Sequence, residues 1–172
     1  MKTAPVRSRD ERIAAIAEMR ERMLSLTLVD LGLTGLPEGR QVLGMLMETG
    51  VEDAAYSLVS TADGAVSLYF SNGGGTIGAG EHETVRTAAA EFLDFGEHFL
   101  VHAAPASGTP LPEDGQVIFY FVTPRGVLYY SAAEVELGEE RDPLTPLFFA
   151  AHAVISEVRA LDEQRPGDRS DA

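Results

Sequence analysis

The sequence contains no cysteine, a single lysine (Lys2), and no long hydrophobic run. Without cysteine there can be no disulfide, no thiolate zinc site and no cysteine nucleophile. That is compatible with a reducing, cytoplasmic setting. The longest uninterrupted apolar stretch is VIFYFV, residues 117–122, far short of a membrane span. The opening MKTAPVRSRDER carries positive charge but no apolar segment behind it, which reads against a secretory signal. Basic residues are outnumbered 27 to 13, for a formal net charge of −14. No cluster of Lys or Arg interleaved with aromatics relieves that field, so nucleic acid and anionic membrane are not expected partners.

What is present is ordinary for a folded domain. The chain has 172 residues, of which 45% are hydrophobic and 23% charged, enough for one sizeable core. Residues 1–8 and 162–172 lack apolar periodicity and are expected to be flexible ends around a single α+β domain at 9–161. Over 9–25, Ile13, Ile16, Ala17, Met23 and Leu24 recur at helical spacing, with Glu18 and Arg22 paired on the opposite side. Arg20 falls within the apolar stripe and is expected to snorkel from it. A break at LGLTGLPEG precedes RQVLGMLMETG, which reads as a short helix.

The period then changes from 3.6 to 2. AYSLVST, the turn ADG and AVSLYFS form an expected β-hairpin. Val66, Leu68 and Phe70 should share one face, and Ser67, Tyr69 and Ser71 the other. A helix near 81–102 follows, its apolar arc holding Val85, Ala88, Ala89, Phe92, Phe95, Phe99 and Leu100. After the Pro/Gly-rich loop AAPASGTPLPEDG comes a second hairpin, QVIFYFV, TPRG and VLYYSA. Its first strand is apolar on both faces, as in a strand buried on both sides. The last helix should be capped by Thr145 with Pro146 at its first position and carry Leu147, Ala151, Val154, Ile155 and Val158 inward. The expected fold is α+β, in the order α-α-β-β-α-β-β-α, with an antiparallel sheet of four to five strands in two hairpins and helices packed on it.

Between the first hairpin and the long helix lies FSNGGGTIGAGEHE, residues 70–83, with five glycines in eight residues. Gly73, Gly75 and Gly78 spell G-x-G-x-x-G after a strand and before a helix, the local setting of a dinucleotide fingerprint. The flanking hairpins are antiparallel, however, and Glu81 and Glu83 already occupy the helix start where a pyrophosphate would sit. There is no G-K-[ST]. The preferred reading is a strand-to-helix corner in which glycine permits positive φ and close backbone approach. The alternative is a small-molecule or anion site, or a catalytic one, using the loop 72–80 and made of Ser71, Asn72, Gly73, Gly74, Gly75, Gly78, Gly80 and His82, with Glu83 beside them.

Other chemistry is thin. Asp94, His98 and His102 recur at i, i+4 and i+8 and could share a divalent ion, although a solvated helix face is the preferred reading. His82-Glu83 begins H-E-x-x-H, but the fifth residue is Arg86. There is no G-x-S-x-G elbow, His152 reads as a half-buried core residue, and Glu139 and Glu140 as loop surface. No catalytic constellation and no cofactor is expected.

The core D-G-x-x-S-L-Y-x-S-x-G-G-G, within DGAVSLYFSNGGGTIGAGEHETVR, resembles small bacterial proteins of no known activity over residues 40–160. The hairpin, helix, hairpin, helix order is also similar to the roadblock arrangement. That resemblance implies a homodimer that serves as a platform for small GTPases or other proteins. The chain departs from it by its extra N-terminal helical region and its glycine loop. The functional expectation is a non-enzymatic interaction or regulatory module that pairs with itself and binds a protein partner.

Overall fold

A computed structural model describes residues 6–165. Its core is one antiparallel sheet of seven strands, α+β in class as expected but larger and differently ordered than four or five strands in two hairpins. The strands are β1 (Gly44–Val51), β2 (Ala54–Thr61), β3 (Val66–Phe70), β4 (Gly74–Ile77), β5 (Ala104–Pro105), β6 (Gln116–Thr123) and β7 (Gly126–Ala133). Across the sheet they run β4-β3-β2-β1-β6-β7-β5. Strands β1 to β4 form a meander, β6 and β7 a hairpin, and the two meet where Met47 of β1 stands opposite Phe119 of β6.

Among the described residues the helices are α1 (Arg9–Leu24), α2 (Glu83–Phe99), α3 (Glu134–Gly138) and α4 (Thr145–Gln164). Helices α2 and α4 pack together on one face of the sheet. Their core joins Met45, Met47, Leu58, Leu68, Phe119 and Phe121 from the strands to Phe92, Leu147, Val154 and Val158 from the helices. Helix α1 lies on the opposite face over Leu46, Val59, Tyr69, Ile118, Tyr120 and Val122. The alternation along β6 thus divides as its two apolar faces anticipated, one face to each core.

Several expectations are corrected. RQVLGMLMETG is not a helix: residues 44–51 form β1, at the centre of the sheet. A strand buried on both faces shows no period of two, and a short apolar run cannot be told from a helix by spacing alone. The glycine stretch is not all loop, because Gly74–Ile77 pairs with β3 as an edge strand. The long helix is shorter than 81–102: it spans Glu83–Phe99, with single 3-10 turns at Ala79–Glu81 and Leu100–His102. Phe95 is 44% exposed, and Leu93 rather than Phe95 enters the core. Thr145 is not a helix cap; it lies inside α4 and donates its hydroxyl to the Leu137 carbonyl at 3.0 Å. Pro146 still sits in the first turn, where its missing N–H leaves no bond unmade.

The inward stripe of α4 is as expected, with Leu147, Ala151, Val154, Ile155 and Val158 all buried. The helix continues through residues 162–164 of the stretch expected as a tail. Residues 1–5 and 166–172, which make up most of the expected flexible ends, lie outside the described residues. At the other end, Ser8 and Glu11 form a reciprocal capping box that starts α1. Among the described residues no helix is long and apolar enough to cross a membrane.

Candidate functional site

The glycine corner is built by hairpin geometry. After β3, the Phe70 carbonyl accepts the Gly73 N–H at 3.0 Å, closing a tight turn. Gly73 leaves that turn at φ +101°, a region L side chains avoid. Gly75, opposite Tyr69, lies so close to β3 that a Cβ would run into the Leu68 carbonyl oxygen and the Tyr69 backbone. Gly80 is pressed against the Gly64 carbonyl of the β2–β3 turn, and the Gly80 carbonyl accepts the Arg86 guanidinium at 3.0 Å. Gly78 sits at φ +75°, ahead of the 3-10 turn. Of the five glycines only Gly74 has ordinary φ and open space around its Cα.

The remaining residues of the proposed loop site have structural partners or face solvent. Ser71 is tied to the end of β2: its hydroxyl accepts the Ala55 N–H at 2.8 Å, and its own N–H donates to the Ala55 carbonyl at 2.8 Å. Asn72 is exposed at the turn tip. His82 is exposed at the start of α2 and makes no side-chain capping bond there. Glu81 and Glu83 flank it, both exposed. Two tertiary neighbours escaped the sequence reading. Arg12 and Ile13 of α1 pack beside Gly73, and the Thr76 hydroxyl donates to Asp162 of α4 at 2.7 Å. Both depend on helices distant in sequence.

The trio Asp94, His98 and His102 does not converge. The helix ends at Phe99, so His102 falls in the 3-10 turn and its ring faces Phe99 and Tyr130. Asp94 pairs with Arg40, and the His98 Nδ1 lies 2.8 Å from the Asp94 carbonyl oxygen. Among the described residues no three acidic or histidine side chains are grouped so as to hold a metal ion. Beside this helix lies an open cavity of about 810 Å³ under the 33–40 segment, rimmed by Arg40, Arg86, Asp94 and Glu97. Its acid Glu97 is already engaged, accepting the backbone N–H groups of Gln41 and Val42 at 2.9 and 2.8 Å.

One polar centre was visible beforehand only as an oddity, the arginine inside the apolar stripe of α1. The Arg20 guanidinium donates to both carboxylate oxygens of Glu48, at 2.7 and 2.8 Å. Glu48 is fully buried on β1 and also accepts the Ser57 hydroxyl at 2.7 Å. Arg20 stands 5.7 Å over the ring of Tyr120, whose hydroxyl donates to the Pro110 carbonyl at 2.6 Å. Burial works against the Arg20 charge, but the hydrogen bond and charge of Glu48 outweigh it and hold its pKa above the ordinary value. Burial, reinforced by the Glu48 charge, pushes the Tyr120 hydroxyl up to about 12 and raises that of Tyr69 as well. The buried Tyr69 hydroxyl has no hydrogen-bond partner among the described residues. The cluster joins α1 to the sheet with its carboxylate fully buried and its guanidinium only partly exposed, an arrangement suited to fixing a helix rather than to receiving a substrate.

Compared with protein-family models, curated proteins and solved structures, the chain matches none. The expected roadblock-like order of hairpin, helix, hairpin and helix is replaced by a four-stranded meander, α2, three further strands, and α3 and α4.

Proposed function

We propose that this protein is a non-enzymatic interaction module that pairs with itself and presents the resulting surface to a protein partner. The observation that carries the reading is the character of the glycine corner. From Gly64 to Gly80 the sequence has no charged residue and no proline, in a chain of net charge −14. The exposed strand β4 runs through the middle of it. Two copies of so acidic a chain repel one another, and a strand whose own residues carry no charge, with Asp162 of α4 bonded to its Thr76, adds least to that repulsion.

An uncovered sheet face does not support this reading, because α1 covers the second face within one chain. The ligand-site alternative draws no support from the corner either: its glycines serve the turn and the close approach to β3 and Gly64, and its entry to α2 carries two carboxylates. The reading is tested by light-scattering mass measurement at tens of micromolar. A dimer is expected, and a strict monomer would overturn self-pairing.

A further inference from the structure

Resting on that reading, we propose that two copies join edge to edge through β4, antiparallel across a two-fold axis, so that the two sheets become one continuous sheet. A strand at the end of a sheet leaves alternate N–H and C=O groups without a sheet partner, and it pairs with another strand unless something blunts it. The two ends of this sheet are treated differently. At the far end, β5 is two residues long and one of them is Pro105, a residue that cannot donate to a further strand. At the near end, β4 has neither proline nor charge. Within the strand only its length of four residues limits further pairing, and from outside it Asp162 of α4 is bonded to Thr76.

The side chains agree with this assignment. Ile77 is 60% exposed at the end of β4, although isoleucine is among the residues most often buried. Gly74 is exposed and has no side chain to stand between its strand and a second backbone. The strand is itself fixed from three sides: by β3 through its pairing, by α4 through Thr76 and Asp162, and by α1 against the preceding Gly73. A preordered edge loses little conformational freedom on pairing.

A second copy is the occupant favoured over an extended peptide of some other protein. Four residues of strand offer few main-chain bonds, too few to offset the ordering of a flexible peptide. A second β4 arrives already ordered. An antiparallel pair of identical strands also satisfies two-fold symmetry by construction, each residue meeting in the partner the residue that meets it. Ile77 of each copy then covers part of the other.

The test uses the full chain and three variants. Ile77→Glu and Gly74→Glu each place a charge on the edge at a position with room for a side chain, and Phe149→Glu places one on the exposed side of α4 as a control. The expected result is a wild-type and Phe149→Glu mass of two chains, and an Ile77→Glu and Gly74→Glu mass of one, with unchanged circular dichroism in all four and, in the edge variants, loss of the concentration dependence of the thermal midpoint. Dimers that persist in both edge variants would overturn the β4 interface while leaving self-association standing. A wild type that is monomeric throughout would overturn both.

Discussion

Arg20 and Glu48, 28 positions apart in the chain, meet in a two-pronged ion pair beneath α1, with the carboxylate fully buried and the guanidinium side chain 13% exposed. Helix α1 is otherwise held lightly: most of its residues are exposed and Met23 alone is fully within the core. The pair therefore matters for where α1 sits more than its single contact suggests.

Removing Arg20 leaves a buried carboxylate with only Ser57 as partner. Breaking a buried pair from one side costs about 3–5 kcal/mol, whereas replacing both partners by apolar residues is often neutral. Arg20→Ala should lower the urea-unfolding free energy by an amount of that order. The double variant Arg20→Met with Glu48→Leu should recover most of it. Equal losses in the single and double variants would contradict the account.

The glycines of the corner should differ sharply in their tolerance of alanine. Gly75→Ala and Gly80→Ala push a Cβ into backbone atoms of β3 and the β2–β3 turn, and overpacking of this kind costs about 1–3 kcal/mol. Gly74→Ala meets open space and should fall within about 0.5 kcal/mol of wild type. Denaturant midpoints of the three variants test this ranking. A uniform response would mean that the corner is not built as described.

His152 lies at the edge of the main core with its ring 4.4 Å from that of Phe148 and its buried Nε2 without a hydrogen-bond partner among the described residues. Burial, with a smaller contribution from the Arg159 charge, lowers its pKa below the ordinary 6.5. Between the lowered folded value and 6.5 the unfolded chain binds the proton and the folded chain does not, so stability rises with pH across that window. The contribution is fully present above 6.5 and is lost as pH falls below it. His152→Phe should flatten this part of the stability–pH curve. An unchanged curve would show that the imidazole is equally free to charge in both states.

If the corner is structural rather than a phosphate cradle, adding orthophosphate, nucleotides or divalent cations should leave the thermal midpoint unmoved. A ligand that binds only the folded state raises that midpoint by an amount that grows with the logarithm of its concentration above Kd. A concentration-dependent rise with a nucleotide would replace the interaction reading with the ligand-site one.

Much of the fold could be read from pattern. The two-faced strand at 117–122, the first hairpin with its Asp-Gly turn and the inward stripe of α4 each follow a single period over enough residues to be recognised. The misreadings share a cause: β1 and β4 are strands because of what lies beside them. Met45, Leu46 and Met47 are apolar in succession since each face of β1 meets a different core, which erases the alternation that marks a strand. Gly74 and Gly75 have poor strand propensity and are held extended by pairing with Phe70 and Tyr69. The same holds at the candidate site. That residues 64–80 carry no charge was plain in the sequence, but that they end in an exposed sheet edge could be seen only once β4 was placed at the end of the strand order. Arg20 announced itself by falling in an apolar stripe, while its partner Glu48 was hidden in a segment read as helix.

The most direct measurement of the central claim is an electron-spin distance between copies. The chain contains no cysteine, so Asn72→Cys, at the exposed tip of the β3–β4 turn, can carry a single nitroxide. The account predicts one narrow intermolecular distance of roughly 25 Å, because antiparallel pairing sets the two turns at opposite ends of the joined strands, about seven residues apart, and this distance disappears when Ile77→Glu is added. A broad or absent interspin distance in a preparation confirmed as dimeric would contradict pairing through β4.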